Sequence, residues 1–175
     1  VIKEQRSGRG AGVAGVTVEG KVAYLSLVQL QAGVTWQKSH YTRPEKWSKD
    51  SSVPAEKRIF RTPDWYGYFT ATYSPVKPLN IALSGTYTGS MIVQHMKGYI
   101  PKDIAVTTPD FFDMNLKISY DFSLYKFITL QLNAGIQNIF NAYQRDFDRG
   151  KERDSGYIYG PSMPRSYFAG AKLMY

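Results

Sequence analysis

Apolar and polar residues alternate with a period of two along most of the chain, and no window of helical length carries a 3.6-residue period. The clearest stretch is Phe112 to Phe122. Phe112, Met114, Leu116, Ile118, Tyr120 and Phe122 fall on one face of a strand; Asp113, Asn115, Lys117, Ser119 and Asp121 fall on the other. Ile128 to Gln137, Leu30 to Tyr41 and Trp65 to Tyr73 repeat this pattern. Val16 to Tyr24 and Ile81 to Thr88 alternate more weakly, and Tyr167 to Tyr175 ends the chain with Tyr167, Ala169, Ala171, Leu173 and Tyr175 on one face. The pattern predicts seven antiparallel strands, each about ten residues long, near the length that crosses a bilayer at a tilt.

The predicted connections alternate in length. Leu25 to Gln29, Ser74 to Leu79 and Ser123 to Phe127 are short. Thr42 to Asp64, Gly89 to Asp110 and Asn141 to Arg165 are long, polar and rich in Pro, Gly and charge. Loops of that length usually carry function. Short turns at one end and long loops at the other match the hairpins of an outer-membrane barrel.

Ring placement separates lipid from water as the medium outside. On the apolar face Tyr24, Tyr73, Phe122 and Tyr175 fall at the short-turn ends, and Trp36, Trp65, Phe112 and Tyr167 near the long-loop ends. Two belts of rings around an aliphatic middle are what two lipid–water interfaces select, so these eight are expected as membrane-interface anchors. A soluble, lipocalin-like barrel also alternates by two, but gives no reason for belts.

Composition narrows the classes further. The chain of 175 residues has no cysteine, which removes disulfide scaffolds, thiolate zinc sites and cysteine nucleophiles. No run approaches the roughly 18 apolar residues of a membrane-spanning helix. The net charge of +8 raises nucleic acid as a partner. In Arg43 to Arg61 and Arg145 to Arg153, however, basic residues alternate with Asp and Glu, as solvated loops do, so nucleic acid is set aside. Lipopolysaccharide or another anionic partner remains open through long-range attraction.

Seven strands make a poor closed barrel, because bacterial outer-membrane barrels have even strand counts and an open edge in lipid leaves backbone groups unpaired. More strands before residue 1 are therefore expected. Gly156 to Tyr175 (GYIYGPSMPRSYFAGAKLMY) and Asn133 to Gln144 (NAGIQNIFNAYQ) resemble the C-terminal end of a TonB-dependent outer-membrane receptor. In that family the penultimate strand runs into an N-[IVL]-F-[ND] motif, here Asn138, Ile139, Phe140 and Asn141. The last strand opens with Pro-Arg, here Pro164 and Arg165, and ends at an aromatic residue, here Tyr175 where Phe is commonest. Asp110 to Phe122 and Gly12 to Tyr24 also fit, and Arg153 to Pro161 resembles receptors of the Bacteroidetes. The resemblance implies a 22-stranded transmembrane barrel of which residues 1–175 form the C-terminal portion, without the plug domain. It also implies the outer membrane of a Gram-negative bacterium and TonB-coupled uptake of a scarce nutrient: siderophore, haem, cobalamin or glycan. The implied partners are outer-membrane lipid, TonB through the plug, the insertion machinery through the C-terminal strand, and the nutrient itself. The alternative is a small structural or adhesive outer-membrane barrel.

Candidate chemistry is sparse. His40 and His95 read as solvated loop-end residues rather than a metal pair, since carboxylate partners at ligand spacing are missing. Arg145 to Asp154 (RDFDRGKERD) departs from the EF-hand pattern and reads as a loop held by its own ion pairs. No Ser-His-Asp arrangement or phosphate-cradling glycine loop appears in a suitable context, so neither an enzyme activity nor a cofactor is read. Tyr157, Tyr159 and Arg165 are the candidates for contact with ligand or plug, since rings and a guanidinium suit sugars, aromatic chelates or anions. An aromatic belt with a loop-anchoring arginine is the alternative for the same three.

Overall fold

A computed structural model describes residues 10–175. Its strands are β1 (Ala11–Tyr24), β2 (Val28–Glu45), β3 (Glu56–Arg58), β4 (Trp65–Val76), β5 (Leu79–Thr88), β6 (Ile92–His95), β7 (Ile104–Thr107), β8 (Phe111–Tyr125), β9 (Ile128–Gln137) and β10 (Ser166–Met174). The seven long strands form one antiparallel meander in the order β1-β2-β4-β5-β8-β9-β10, and β3 pairs with the outer end of β2. β6 and β7 form a separate hairpin. The fold is all-β and antiparallel. Among the described residues its large sheet is open: β1 and β10 are its edges and do not pair with each other.

All seven predicted strands are present, most of them longer than the alternation suggested. β2 runs on to Glu45 because its outer end finds new partners: β1 pairs with it up to Tyr41, and His40 then faces Arg58 of β3. The short turns shrink to Leu25–Leu27, Lys77–Pro78 and Lys126–Phe127. Within the predicted long loops lie β3, β6 and β7, which the alternation missed.

Register decides which side chains share a face, since a slip of one residue would turn a strand's whole apolar set over. Here every ladder keeps the sets aligned. Trp36 faces Val16 on one side and Trp65 on the other; Ala71 faces Leu30 and Leu83; Leu116 faces Leu83 and Ile136; Leu132 faces Tyr120 and Ala171. Apolar residues from all seven strands therefore form one continuous face, while a few, such as Tyr68 and Phe168, stand on the other. Between Tyr24 and Trp36, and at the matching rungs of the other strands, no Asp, Glu, Lys or Arg stands on it. Glu19, Lys21, Asp113, Lys117, Asp121 and Lys172 all stand on the opposite face.

Nothing covers the apolar face among the described residues. Val16, Val18, Val22, Leu30, Val34, Ile118, Leu132 and Leu173 are all exposed. The opposite face is a lattice of cross-strand hydrogen bonds. The hydroxyls of Thr17 and Thr35 lie 2.9 Å apart, and Gln131 Nε2 donates to Asp121 Oδ1 at 2.8 Å. Tyr68 lays its ring across Gly33, where a Cβ would sit 2.7 Å from the ring, and its hydroxyl donates to Glu19 Oε1 at 3.3 Å. Among the described residues the buried apolar ones are few: Ile92, Val93, Phe111 and Tyr157. None of them belongs to the apolar face of the sheet.

Candidate functional site at the long-loop end

That small core sits where the three long connections meet. The middle connection contributes β6 and β7, which bury Ile92 and Val93. The first contributes Arg61, whose backbone N–H donates to the Ile92 carbonyl at 2.8 Å. Its guanidinium donates to the carbonyls of Ile158, at 2.7 Å, and Gly156 in the last connection. Arg61 thus touches all three, and does so at φ 60°, a left-handed conformation rare for a side chain of its size.

The last connection is organised by its carboxylates. Asp146 accepts the hydroxyl protons of Tyr157 (2.8 Å) and Tyr159 (2.6 Å), one on each oxygen. Asp148 lies within 3.0 Å of His95 Nε2 through both oxygens, so that nitrogen carries the proton between them, and it also accepts the Asp154 N–H at 2.9 Å. Asp154 in turn accepts the N–H groups of Met96 and Gly156, both at 2.8 Å. Tyr157 stacks flat on the His95 ring, with centroids 3.7 Å apart and planes 7° apart. Beneath them Gln144 is 1% exposed, donating to the Tyr157 carbonyl and accepting the Tyr159 N–H. A buried polar side chain with both ends satisfied fixes a loop as a core residue fixes a strand.

The electrostatics follow from this packing. Desolvation pushes the Asp146 carboxyl up, but the hydrogen bonds from Tyr159 and Tyr157 outweigh it and leave the group below the usual carboxylate range. Burial, reinforced by the Asp146 charge, pushes the Tyr159 hydroxyl up to about 12 and the Tyr157 hydroxyl upward as well. Asp103, in the middle connection, is held below its ordinary value by hydrogen bonds from the Ser48 hydroxyl (2.5 Å) and the Lys97 N–H (2.6 Å).

Two expectations change here. His95 is not solvated: it is 6% exposed and paired with Asp148, because folding of the loops brings a carboxylate 53 positions away to its ring. RDFDRGKERD is not held by its own ion pairs. Among the described residues its Asp side chains bind tyrosines, His95 and backbone N–H groups, while Arg145 lies over the Tyr143 ring, 5.1 Å from its centroid. His40 is exposed on β2.

The three candidate ligand residues part company. Tyr157 and Tyr159 are brought together, ring centroids 5.3 Å apart, inside the loop core. Tyr157 is 3% exposed, which leaves its ring no free face for a ligand in this arrangement. Arg165 lies elsewhere, exposed at the start of β10, with its backbone N–H donating to Asn141 Oδ1 at 2.9 Å. Sequence reasoning missed Gln144, Asp146 and Arg61. Of these only Asp146 left a trace, in its spacing from the tyrosines of the same loop.

The N-I-F-N segment is a turn built from two left-handed asparagines, Asn138 at φ 51° and Asn141 at φ 55°. Asn is among the residues that tolerate this conformation, because its short amide bonds locally. Asn138 Oδ1 accepts the Ala142 N–H, and Nδ2 donates to the carbonyls of Ala142 and Met163. Beside it a cavity of about 380 Å³ opens on the polar face, lined by Asp113, Asn115, Gln137 and residues 161–164. One Asp113 oxygen there is sealed from solvent without a hydrogen-bond partner.

No protein-family model matches the chain, and comparison with curated proteins finds no match. The functional reading therefore rests on residue chemistry and geometry alone. Two surfaces carry it: the bare apolar face and the folded loop end.

Proposed function

We propose that this chain is the C-terminal portion of the transmembrane β-barrel of a TonB-dependent receptor, which takes up a scarce nutrient across the outer membrane. One observation carries the proposal. Seven strands present one continuous apolar face, exposed and uncharged, in register, with rings at both ends. In water such a face is an aggregation surface far larger than a monomer tolerates; in lipid it is the required exterior. Its height suits a bilayer. Phe112 and Phe122 are ten residues apart on β8, about 34 Å of strand, or about 24 Å of height at the usual tilt, close to the apolar band of such barrels. The N-I-F-N turn, the Pro164–Arg165 start of β10 and the terminal ring of Tyr175 support the family in particular. The loop core at the opposite end from the short turns is the region for nutrient recognition, and the polar face lines the lumen toward the plug.

The test is fractionation of cells that make the full-length protein. A receptor enters the outer membrane, migrates faster on gels before boiling than after it, and carries several hundred residues with a plug-like domain ahead of residue 1. A signal peptide directly ahead of Val1 replaces the receptor with a small structural or adhesive barrel. Recovery in the soluble fraction overturns both.

A further inference from the structure

On the apolar face the first basic strand residue beyond the long-loop belt belongs to β2. Asp110, two residues before Phe112, lies three strands away and accepts the Tyr87 hydroxyl at 3.3 Å. Val34 and Trp36 point to that face, and the unbroken β1–β2 ladder carries the same alternation on to Lys38 and His40. His40 faces Arg58 of β3, which adds a guanidinium to the same side. Their neighbours on β1 are small: Lys38 faces Ala14 and His40 faces Gly12, so nothing bulky stands over them, and all three side chains are exposed. The nearest carboxylate, Glu56, approaches Arg58 Nε at 3.6 Å but already accepts the N–H groups of Lys57 and Arg58. Both terminal nitrogens of Arg58 are without a hydrogen bond among the described residues.

Height gives this group a partner. Lys38 is two residues beyond Trp36 and His40 four, about 7 and 13 Å along the strand, or roughly 5 and 9 Å above the belt at the usual tilt. The headgroup layer occupies roughly the first 5–7 Å outside the hydrocarbon, and long basic side chains reach back toward it. We propose that Lys38, His40 and Arg58 form a binding site for the phosphate groups of outer-leaflet lipid. Arg58 offers paired N–H donors to the phosphate oxygens, Lys38 a point charge one rung below, and His40 a further ring N–H. The site rests on the membrane reading above and adds to it a place and a chemistry.

The probe is bisphosphorylated lipid A set against the same lipid stripped of phosphate. Each is titrated into the full-length protein in nonionic detergent and read by native mass spectrometry. Two cations near a phosphate plane contribute about fivefold each, so wild type is expected to retain the phosphorylated lipid about 25-fold better at low salt. K38Q/R58Q brings the two lipids close to parity, K38R/R58K keeps the preference, and K77Q/K126Q, at the short turns, leaves it unchanged. Heat-modifiable migration confirms that each variant is folded. Equal retention of both lipids by wild type overturns the site, and so does an undiminished preference in K38Q/R58Q. A protein that stays monodisperse without detergent and retains neither lipid overturns the membrane reading instead.

Discussion

The sheet and the loop end of this molecule reverse each other. Across the sheet, valines, leucines and isoleucines stand exposed, and the polar face holds the dense hydrogen bonding. At the loop end Val93 and Gln144 are fully buried, and the carboxylates of Asp103 and Asp148 are buried as well. These carboxylates, and the exposed Asp146, meet internal donors, while Arg149, Lys151 and Arg153 are exposed. One region is inside out by the standards of a water-soluble domain and the other is not. On the proposed membrane reading the two regions meet different media, and burial of apolar surface drives folding only where the alternative is water. On that reading the contrast is that of a chain folded across a boundary, with lipid against the sheet and water against the loops.

The sharpest way to break that comparison is a charge on the apolar face. Leu132 and Gln131 are neighbours on β9 with opposite directions: Leu132 faces Tyr120 and Ala171, while Gln131 bonds Asp121. In the full-length protein in lipid, Leu132→Arg should destabilise the fold by roughly 2–4 kcal/mol, as arginine does near the midplane of a barrel wall. Gln131→Arg should cost far less, since Asp121 remains to receive it. Urea titration of the reconstituted protein checks this. Leu132 is 43% exposed, so in water the change would fall within about 0.5 kcal/mol of neutral. Equal, small effects at both positions would remove lipid from the picture.

The loop end is sharpened by the opposite kind of change. Gln144→Ala leaves the Tyr157 carbonyl and the Tyr159 N–H buried without partners, a loss of about 2–3 kcal/mol. It should appear as faster hydrogen exchange and proteolysis between Asn141 and Arg165, with the ordered seven-strand sheet left intact. If the sheet falls apart together with the loops, the two regions are one cooperative unit.

What the sequence disclosed divides along the same line. Strands with two unlike environments must alternate, so all seven could be read from Val16 to Tyr175, and parity alone assigned each residue's face. The hairpin β6–β7 could not be read that way, because Ile92–His95 and Ile104–Thr107 are four residues each and pack into loops rather than between two media. Only their β-branched residues and the turn near Gly98 hinted at them. The pairs that organise the loop end, His95 with Asp148 and Arg61 with Ile158, lie 53 and 97 positions apart. No local pattern encodes such a distance. The acidic and basic residues of RDFDRGKERD look like partners in one dimension, but in three the aspartates bond tyrosines, His95 and backbone N–H groups instead.

A spectroscopic test addresses the loop-end carboxylates. The Tyr159 hydroxyl is raised to about 12 and that of Tyr157 is raised too, while Asp146 is held below the usual carboxylate range. A raised tyrosine supports the fold fully below the unfolded value near 10 and ceases to do so as pH climbs through its folded value. A lowered carboxylate supports the fold above the unfolded value near 4 and ceases to do so as pH falls through its folded value. The loop end should therefore hold across the neutral range and loosen at either extreme. Among the 14 tyrosines, two should ionise late by absorbance near 295 nm, and Asp146→Asn should move both toward the ordinary range. Unchanged late titration in Asp146→Asn would mean that burial alone sets these groups.

The smallest expected effect comes from Arg61, where backbone and side chain pull in opposite directions. At φ 60° any residue with a Cβ bears a penalty of about 1 kcal/mol that glycine does not. The guanidinium offsets it by bonding the Gly156 and Ile158 carbonyls. Arg61→Ala removes those bonds and keeps the penalty, whereas Arg61→Gly removes both. Alanine should therefore weaken the loop end more than glycine does, by about 1 kcal/mol, the reverse of the order in ordinary strands and helices, where glycine is the worse residue. Hydrogen exchange of the Ile92 to His95 segment reports the difference, because the Arg61 N–H bonds the Ile92 carbonyl whichever side chain is present. If glycine weakens the segment more than alanine, the left-handed turn is not what Arg61 maintains, and its grip on the last loop is the whole of its contribution.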